Sequence, residues 1–507
     1  MPLALPMIEG MTAQASEQTI SSTQHDQAES SFDLVIIGSG PGGYSTALRA
    51  AQLGLSVAVV ERDAVVGGTC LNRGCIPTKA LMTATSTITQ AAHARQLGIQ
   101  STFEGIDFDR LNAFKQESID AMTGGLHQLL QARKVTLIQG QAAISGPGQV
   151  TVETLAGSSR QLSARHIVLA TGARSTPLAG LPFSNRVLDS DRALNLERFP
   201  QRPVIFGAGA VAVEFASIWQ AAGSQVTLVI RKDRVLSSWD RRTSLTLTRE
   251  LGKQGISVVT GSQFSSLEQA DENADMKVSY EPVDAASGRG SSASLETDAV
   301  LVAIGRSPNT DASWLTQAGV ELDAHGLVTI DPWGRTSADR IWALGDITAG
   351  YHFAHRAFEQ GIVIAETIAG LNPQPVNEAT IPQVVFSTPQ AACVGYSKQA
   401  AQEREDLNQV QETVYPMLSN ARMRMSGQGG SLSLVTACAS DQPDTRIVVG
   451  VNLVAPEAAE LIAEAEQIVG NRLPLSQAAR LIHPHPTFSE TLGEALLKAD
   501  GRPLNMR

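Results

Sequence analysis

Two cysteines that could be oxidised and reduced as a pair lie close together near the beginning of the chain. Cys70 and Cys75 are five residues apart in the segment GGTCLNRGCIPTK, which ends at Lys79. In a regular helix five residues rise about 7.5 Å, beyond the roughly 7 Å between Cα atoms that a disulfide spans. A bond between these sulfurs therefore needs a distorted turn, for which Gly74 supplies the backbone freedom. A strained disulfide that closes so short a loop is expected to be a labile redox group.

The alternatives for this pair are two buried free thiols or half of a metal site. A zinc site needs a second pair of ligands, and the sequence offers none, so no metal is predicted. Cys393 and Cys438 are isolated in apolar surroundings and are predicted to be core thiols. Four cysteines in 507 residues fit sparing, catalytic use in a reducing cytosol, so a cytoplasmic location is predicted.

A candidate base stands at the other end of the chain, in the segment HPHPTFSE. Oxidation of a dithiol needs a base to generate a thiolate, and imidazole, with an ordinary pKa near 6.5, suits that task. Glu490 follows His485 by five residues and could orient the ring and stabilise the imidazolium. A histidine in a proline-rich loop is more often structural, and His483 is predicted to be so.

The elements that would position the cysteines begin with a dinucleotide-binding pattern. The apolar run 34–37 precedes a loop with Gly38, Gly40 and Gly43, and a helical stretch and a second apolar run follow. Glycines there allow a tight turn and a close approach of the backbone to a pyrophosphate at the helix N-terminus. Glu61 ends the second strand, where an acid accepts the ribose hydroxyls. An ordinary tight turn is the alternative, but the surrounding strand, helix and acid favour nucleotide binding.

A second loop of the same kind follows the apolar run 203–206, with Gly207, Gly209 and Ala212 at the corresponding positions. The chain therefore contains two dinucleotide-binding units, and a tail after about residue 382 has an α+β pattern. The polar stretch 262–296, whose portion 285–294 is dominated by Ser, Gly and Ala, is predicted to form a surface hairpin loop.

The second unit differs from the first where the acid should be. Ile230 occupies the position of Glu61, and Arg231, Lys232 and Arg234 follow it. A missing acid with neighbouring basic groups favours a ligand with a 2′-phosphate, which is NADP. Alternatively, the basic residues form a solvated turn after the strand and bind no nucleotide, in which case NAD would fit. The second nucleotide is therefore predicted to be NAD or NADP.

Length and charge limit the other possibilities. At about 150 residues per domain, 507 residues correspond to roughly three domains. The net charge of −11 opposes nucleic acid as a partner, and no apolar run reaches the length that a membrane span needs, so no membrane association is predicted. Residues 1–31 lack the features of a signal peptide and are predicted to be a disordered leader, within which Met11 is a second possible start.

The cysteine segment, the loops and the His-Pro-Thr segment together resemble the FAD-dependent pyridine nucleotide-disulfide oxidoreductases, from Phe32 onward. The resemblance implies that the first loop binds FAD, that Cys75 faces the flavin and that Cys70 attacks the substrate. It also implies an obligate homodimer in which His485 reaches the disulfide of the other subunit. Arg73 stands where many members have an apolar residue, so the charge around the thiols is expected to be unusual. Further cofactor contacts are implied for Gly68, Thr69, Lys79, Ala142, Thr171, Gly172, Gly305, Asp346, His352, Phe353, Ala354 and His355.

The implied fold class is α/β, with two Rossmann-like dinucleotide-binding domains and a C-terminal α+β dimerisation domain. The FAD-binding domain is expected in two parts that flank the NAD(P)-binding domain. The expected boundaries are 32–185 and 305–378 for the two FAD parts, 186–304 for the NAD(P) domain and 379–507 for the dimerisation domain.

Several segments resemble the dihydrolipoamide dehydrogenase branch of this family. They include Phe353 to Ala357, and Ser419 to Arg422, where Met423 departs from the usual alanine. This branch oxidises protein-bound dihydrolipoamide, so a lipoyl-bearing carrier of a 2-oxo acid dehydrogenase or glycine-cleavage complex is the expected partner. Ile230 and Arg231 instead resemble the NADPH-using glutathione reductases. An NADPH-dependent reductase of a low-molecular-weight disulfide, and a non-catalytic flavin-binding subunit or redox sensor, are the alternatives.

Overall fold

The computed structural model describes residues 31–269, 274–284 and 290–505. The predicted leader lies outside these residues except for its last one. Ser31 is the first residue of strand β1 and pairs with Ser163, so the leader prediction is wrong at this position. The strand begins three residues before the apolar run 34–37 that marked it in the sequence.

The first sheet has a parallel part built from apolar runs that are buried on both faces, as expected for parallel strands. Leu34, Val35 and Ile36 are fully buried. Its third and fifth strands are long, and their outer halves pair with β4 in an antiparallel meander. The strands are β1 (Ser31–Ile37), β2 (Val57–Glu61), β3 (Thr136–Gly146), β4 (Gln149–Thr154) and β5 (Ser159–Leu169).

Ala142 lies inside β3, opposite Val152 of β4, and not after the strand as the apolar run 135–138 suggests. Beyond Ile138 buried and exposed residues mostly alternate, which is the pattern of a half-buried antiparallel strand. The end of the apolar run thus marks the change from parallel to antiparallel pairing.

The second sheet is entirely parallel, with the strand order β10-β9-β8-β14-β7. It contains the second dinucleotide-type unit, and its strands other than the edge strand at residues 257–259 are again mostly buried apolar runs. The two short strands β6 (Ala173–Ser175) and β15 (Arg306–Pro308) pair with each other where the chain enters and leaves this unit. The strands of the second sheet are β7 (Val187–Leu188), β8 (Pro203–Phe206), β9 (Thr227–Val229), β10 (Ser257–Val259) and β14 (Ala299–Val302).

The polar stretch 262–296 forms a three-stranded antiparallel sheet of β11 (Ser262–Gln269), β12 (Met276–Pro282) and β13 (Ala293–Thr297). The predicted hairpin loop at 285–294 connects β12 to β13. Its residues 285–289 lie outside the described part, and its last two residues belong to β13.

The chain returns to the first sheet through β16 (Ile341–Ala343), which pairs in parallel with β5. It then forms the tail, an antiparallel sheet with the order β17-β18-β21-β20-β19. Its strands are β17 (Gln383–Val385), β18 (Gln390–Gly395), β19 (Leu407–Tyr415), β20 (Ser431–Ala439) and β21 (Gln442–Ala455).

The helices of the described residues cover the faces of these sheets. None of them combines the length and apolar character needed to cross a membrane. The helices before the tail are α1 (Pro41–Gln52), α2 (Gly68–Arg73), α3 (Cys75–His93), α4 (Phe108–Ala132), α5 (Ser190–Leu194), α6 (Ala210–Ala221), α7 (Arg241–Lys253), α8 (Ser313–Gln317) and α9 (Ala354–Ile368). Those of the tail are α10 (Lys398–Gln402), α11 (Ala421–Ser426), α12 (Ala458–Gly470), α13 (Leu475–Ala478) and α14 (Glu490–Ala499).

Candidate active site

The two cysteines lie on either side of a break between two helices. Cys70 is in α2 and Cys75 is the first residue of α3, and Gly74 separates the helices with φ −146° and ψ −107°. A Cβ atom at Gly74 would lie 2.9 Å from the carbonyl oxygen of Thr69, so a side chain has no room there. This break is the distorted turn that the spacing predicts. Pro77 lies in the first turn of α3, where its missing N–H costs no hydrogen bond.

The structure holds the pair as two free thiols, the reduced form of the predicted disulfide. A hydrogen bond from the Cys70 thiol, together with the nearby Lys79 ammonium, lowers the pKa of Cys75 against the opposing effect of burial. The same hydrogen bond and burial raise the pKa of Cys70. The first proton to leave the pair is therefore lost from Cys75, and its thiolate is stabilised by Cys70 and Lys79.

Lys79 is held by contacts from two other parts of the chain. Its Nζ lies 3.1 Å from Oε2 of Glu214 in α6 and 4.1 Å from the ring centre of Phe386. The backbone N–H of Phe386 donates to Oε1 of Glu214 over 3.0 Å. The ammonium group next to the thiols is thus fixed by the second dinucleotide unit and by the start of the tail.

The positive charge of Arg73 affects the thiols less than the sequence suggests, because carboxylates pair with it. Its guanidinium forms ion pairs with Asp63, at 2.6 Å, and with Asp191, at 3.3 Å. Two carboxylates therefore offset its charge, and Lys79 is the cation that acts on the cysteines. The sequence could not show these partners, because they lie 10 and 118 positions away.

The glycines of the first loop form a cradle in which backbone meets backbone. A Cβ at Gly38 would clash with the carbonyl oxygen of Ala170, and one at Gly43 would clash with that of Gly38. Gly68 has φ +57°, and a Cβ there would lie 2.6 Å from Cα of Gly40. No side chain caps the N-terminus of α1, and the first turn of this helix contains no acidic residue. The N–H groups of that turn are therefore available to an anion. These features fit a dinucleotide pyrophosphate.

Glu61 is buried at the end of β2, beside this cradle. Its Oε2 accepts hydrogen bonds from the N–H and the hydroxyl of Ser39, at 2.8 and 2.6 Å, and its Oε1 accepts one from the N–H of Asp63. A carboxylate has about four acceptor positions, so one remains for a ribose hydroxyl. Glu61 therefore shapes the loop as well as facing the nucleotide.

A cavity of about 480 Å³ lies beside Glu61 and was not predicted. Part of its wall is one face of α4, with Thr123, Gly124 and His127. A glycine inside a helix costs about 1 kcal/mol relative to alanine, and no atom lies within 4 Å of where a Cβ of Gly124 would be. The Gly124-Gly125 pair in a long helical stretch is the signal that could have identified this wall.

The other residues proposed for the cofactor surround the end of the first sheet. Thr171 and Asn309 exchange hydrogen bonds, Thr171 Oγ1 to Asn309 O at 3.1 Å and Asn309 Nδ2 to Thr171 O at 2.9 Å. The neighbouring Gly172 accepts a backbone hydrogen bond from Asn309. Asp346 is half-buried, with its Oδ2 3.9 Å from Nε of Arg306, and Gly305 precedes that arginine. The segment at residues 171–172 and the segment at 305–309 thus meet at the end of the first sheet.

A stack of aromatic rings precedes and enters α9. Tyr351 stacks on Phe353, and Phe353 on His355, with ring centres 5.7 and 5.2 Å apart. The Nε2 atom of His355 lies 2.8 Å from the carbonyl oxygen of Pro382. His352 is exposed, and Ala354 is the first residue of α9. The sequence pattern had not indicated the stacking.

The second loop repeats the packing of the first. A Cβ at Gly207 would clash with the carbonyl oxygen of Ala303, while Gly209 is the N-cap of α6 and Ala212 is fully buried. Ile230 is only 1 % exposed and packs in the core, so its side chain is directed away from any nucleotide. Arg231 is exposed beside it. Of the two residues proposed there, only Arg231 offers a side chain to a ligand.

His485 and Glu490 form a dyad in the tail. Nδ1 of His485 lies 2.7 Å from Oε1 of Glu490, and the histidine side chain is 78 % exposed. Although burial acts to raise the pKa of Glu490, hydrogen bonds from His485 and from the N–H of Thr487 lower it, so the carboxylate is charged. His483 has a different partner, Glu464, at 2.7 Å. Within the described part of one chain, no hydrogen bond or ion pair joins His485 to the cysteines.

A dithiol beside a dinucleotide cradle, with a second dinucleotide loop in the same chain, defines a flavin- and nicotinamide-dependent disulfide oxidoreductase. The family model described as pyridine nucleotide-disulphide oxidoreductase matches residues 32–361, and the model of that family's dimerisation domain matches residues 381–496. The chain belongs to the pyridine nucleotide-disulphide oxidoreductase family and uses FAD and NAD(P). The dimerisation domain supports a homodimer.

Individual relatives extend this comparison over nearly the whole chain. The dihydrolipoyl dehydrogenase of Geobacillus stearothermophilus is 35 % identical over 94 % of this chain and 97 % of its own length. Dihydrolipoyl dehydrogenase 3 of Pseudomonas putida is 37 % identical over 94 % and 100 %. The crystal structure of LpdA from Mycobacterium tuberculosis superposes with a TM-score of 0.82 at 26 % identity, covering 92 % of this chain and 99 % of that one.

Proposed function

We propose that this protein oxidises a dihydrolipoyl dithiol and transfers the electrons to NAD(P)⁺. The observation that carries the proposal is the placement of Cys70 and Cys75 on either side of the helix break at Gly74, beside the first glycine loop, with Cys75 favoured as the thiolate. Such a pair can exchange with a substrate dithiol through one sulfur while the other faces an electron acceptor. The relatives named dihydrolipoyl dehydrogenase support the choice of substrate.

The reaction is balanced by the residues proposed here together with the two cofactors. Oxidation of a dithiol to a disulfide releases two electrons and two protons. One substrate sulfur, as a thiolate, attacks Cys70 of the Cys70–Cys75 disulfide and releases the Cys75 thiolate. The second substrate sulfur then displaces Cys70 from this mixed disulfide, which leaves the substrate as a disulfide and the enzyme as the dithiol seen in the structure. FAD supplies the relay of two electrons from this dithiol to NAD(P)⁺, which takes them as a hydride. The second proton leaves to solvent.

His485 is the proposed base for the substrate thiol. Glu490 holds the ring through Nδ1 and, being charged, stabilises the imidazolium formed when Nε2 takes the proton. The exposed ring and its separation from the cysteines within one chain agree with a site shared between subunits of a dimer. Each active site would then combine the cysteines of one subunit with the dyad of the other.

The proposed partner is a separate lipoyl-bearing protein of a 2-oxo acid dehydrogenase or glycine-cleavage complex. The proposed location is the cytoplasm, because Cys393 and Cys438 are buried as free thiols and the catalytic pair works by changing its redox state. Co-purification of the tagged chain with a lipoylated protein from its own cells, detected with an antibody against lipoyl-lysine, would test the partner.

A second candidate function is reduction of a low-molecular-weight disulfide by NADPH. The observation that favours it is the basic end of β9, where Arg231 and Lys232 are exposed and the acid is replaced by the buried Ile230. Guanidinium and ammonium groups there can bind a 2′-phosphate, whereas nothing at this position would accept the hydroxyls of NAD.

The experiment that separates the two functions compares four reactions of the purified protein. Dihydrolipoamide is offered with NAD⁺ or NADP⁺, and glutathione disulfide with NADH or NADPH. We expect rapid turnover with dihydrolipoamide, and Cys75→Ser should abolish it while FAD stays bound. Turnover confined to glutathione disulfide would contradict the first proposal, and unchanged dihydrolipoamide turnover in Cys75→Ser would refute the role of the pair.

A further inference from the structure

The loop that contains His485 rests on a segment that comes more than sixty residues earlier in the chain. Asn420 precedes α11 and is only 6 % exposed. Its Oδ1 accepts a hydrogen bond from the N–H of Met423 over 3.1 Å, and its Nδ2 donates to the carbonyl oxygen of Thr487 over 3.0 Å. A single buried amide therefore caps one helix and holds the active-site loop.

The residue that accepts from Asn420 also holds the dyad. The N–H of Thr487 donates to Oε2 of Glu490 over 2.8 Å, and Oε1 of the same carboxylate lies 2.7 Å from Nδ1 of His485. Asn420, Thr487, Glu490 and His485 are thus joined by three consecutive hydrogen bonds. A shift of the Thr487 backbone moves the carboxylate that orients the imidazole.

The same segment makes a second contact with the loop. The guanidinium of Arg422 lies over the ring of Phe488, 5.1 Å from its centre, which is within the range of a cation–π contact. Arg422 is exposed, and such contacts are weak at exposed sites, so the buried amide of Asn420 is the stronger of the two attachments. No helix or strand covers residues 479–489, so the loop depends on side-chain contacts of this kind for its position.

We propose that Asn420 is a positioning residue for the His485–Glu490 dyad. It touches neither substrate nor cofactor, and it acts by fixing the backbone of Thr487 through the hydrogen bond from its side-chain N–H to the Thr487 carbonyl. The inference rests on the proposed role of His485 as the base. Proton transfer requires the base within hydrogen-bond reach of the thiol, and a displacement of about 1 Å can reduce turnover about 100-fold.

The variant Asn420→Asp separates the two hydrogen bonds of this side chain. A carboxylate still accepts from the Met423 N–H, and Asp is as good an N-cap as Asn. It cannot donate to the Thr487 carbonyl and repels it instead. We expect kcat for dihydrolipoamide oxidation to fall about 10- to 100-fold with little change in KM for dihydrolipoamide. Reduction of ferricyanide by NAD(P)H should stay within about twofold, because it passes through the flavin and requires neither thiol nor base.

Two further variants complete the test. Ser397→Ala removes the N-cap of α10 in the same domain, where Ser397 accepts from the N–H of Ala400 and does not contact the loop, so both activities should be kept. His485→Gln should abolish dihydrolipoamide oxidation alone. If His485→Gln is impaired and Asn420→Asp is not, the positioning role is wrong. If His485→Gln retains full activity, the proposed base is wrong. An equal loss of both activities in Asn420→Asp would indicate a general structural role and would overturn the inference.

Discussion

Lys79 is the residue whose charge links the thiols to the rest of the molecule. Its ammonium lies between the Glu214 carboxylate and the Phe386 ring, and it favours the thiolate of Cys75. The buried carboxylate of Glu214 opposes this effect. These two charges act in addition to the larger effects on the pKa of Cys75, which are the hydrogen bond from Cys70 and burial.

Replacing this cation should shift the titration of the thiolate. In Lys79→Met the attraction is lost while Glu214 remains, so the pKa of Cys75 rises and its thiolate is lost at a higher pH than in the native protein. The long-wavelength absorbance of a thiolate beside the flavin, recorded on the two-electron-reduced protein as a function of pH, should show a higher midpoint. Lys79→Arg keeps the charge and serves as the control. A midpoint unchanged in Lys79→Met would show that the ammonium does not govern Cys75.

At the scale of elements, the two glycine loops have the same geometry and different proposed ligands. Gly40 and Gly209 are the N-caps of α1 and α6, with φ −66° and −86°. Alanine is permitted at both angles, and a Cβ would meet no atom closer than 4.0 Å at Gly40 and none within 4 Å at Gly209. Each substitution should therefore preserve the fold and place a methyl group where a pyrophosphate approaches.

The two substitutions should have complementary effects. Gly40→Ala should weaken FAD binding, so that more apoprotein is obtained, and leave KM for NAD(P)⁺ unchanged in the flavin-loaded fraction. Gly209→Ala should raise KM for NAD(P)⁺ and keep FAD bound. The flavin-to-protein absorbance ratio and steady-state kinetics measure these quantities. Each variant is the control for the other, and the assignment of the loops would be wrong if the effects were exchanged.

Helix α12 is attached to the loop that contains His485 by the contact between Glu464 and His483. His483 is mostly buried, and its hydrogen bond to Glu464 raises its pKa. A raised folded-state pKa gives stability that is fully present below the unfolded pKa of about 6.5 and is lost as the pH rises through the folded value. The ring also lies against Gly493 of α14, where a Cβ would clash with it.

The pair predicts a stability difference that depends on pH. Glu464→Gln should lower the melting temperature at pH 6 and have a smaller effect at pH 9, measured at one protein concentration because a dimer's melting point depends on it. Glu466→Gln, on the same helix and hydrogen-bonded to its neighbour Gln467, should have little effect at either pH. A loss that grew with pH would contradict the ion pair.

The sequence was sufficient for those parts of the site that are local in the chain. The strand, loop and helix around Gly38, the break at Gly74 and the His485–Glu490 spacing all lie within a few turns of backbone, and short-range rules describe them. The contacts of Arg73 with Asp191 and of Asn420 with Thr487 depend on the packing of distant segments. Ala142 lies inside β3 although the apolar run ends at residue 138, because an apolar run marks buried parallel pairing and not the full length of a strand.

At the scale of the whole molecule, the proposed site has two halves on different subunits. The cysteines are close to the first glycine loop, and the exposed ring of His485 lies in the tail, within the residues that the dimerisation-domain model matches. A chain with Cys75→Ser and a chain with His485→Gln are each expected to be inactive as homodimers. In a hybrid of the two, one site combines both intact halves.

Mixing these chains should therefore restore activity. After unfolding and refolding of equal amounts with FAD, half of the dimers are hybrids and each has one complete site, so dihydrolipoamide oxidation should reach about one quarter of the native value. Refolding each variant alone is the control. Failure of the mixture to exceed the separate variants, with hybrids demonstrated by two different affinity tags, would place both halves of the site in one chain.

If Cys75 and His485 of each active site come from different subunits, mutations of the two residues have different genetic consequences. Two defective alleles, one with each lesion, would complement each other in the same cell, although they affect a single gene and a single reaction. An allele with both lesions would instead inactivate every mixed dimer that it enters, because each of the two sites would then lack one half. The same pair of mutations would be partly recessive when separated and dominant-negative when combined.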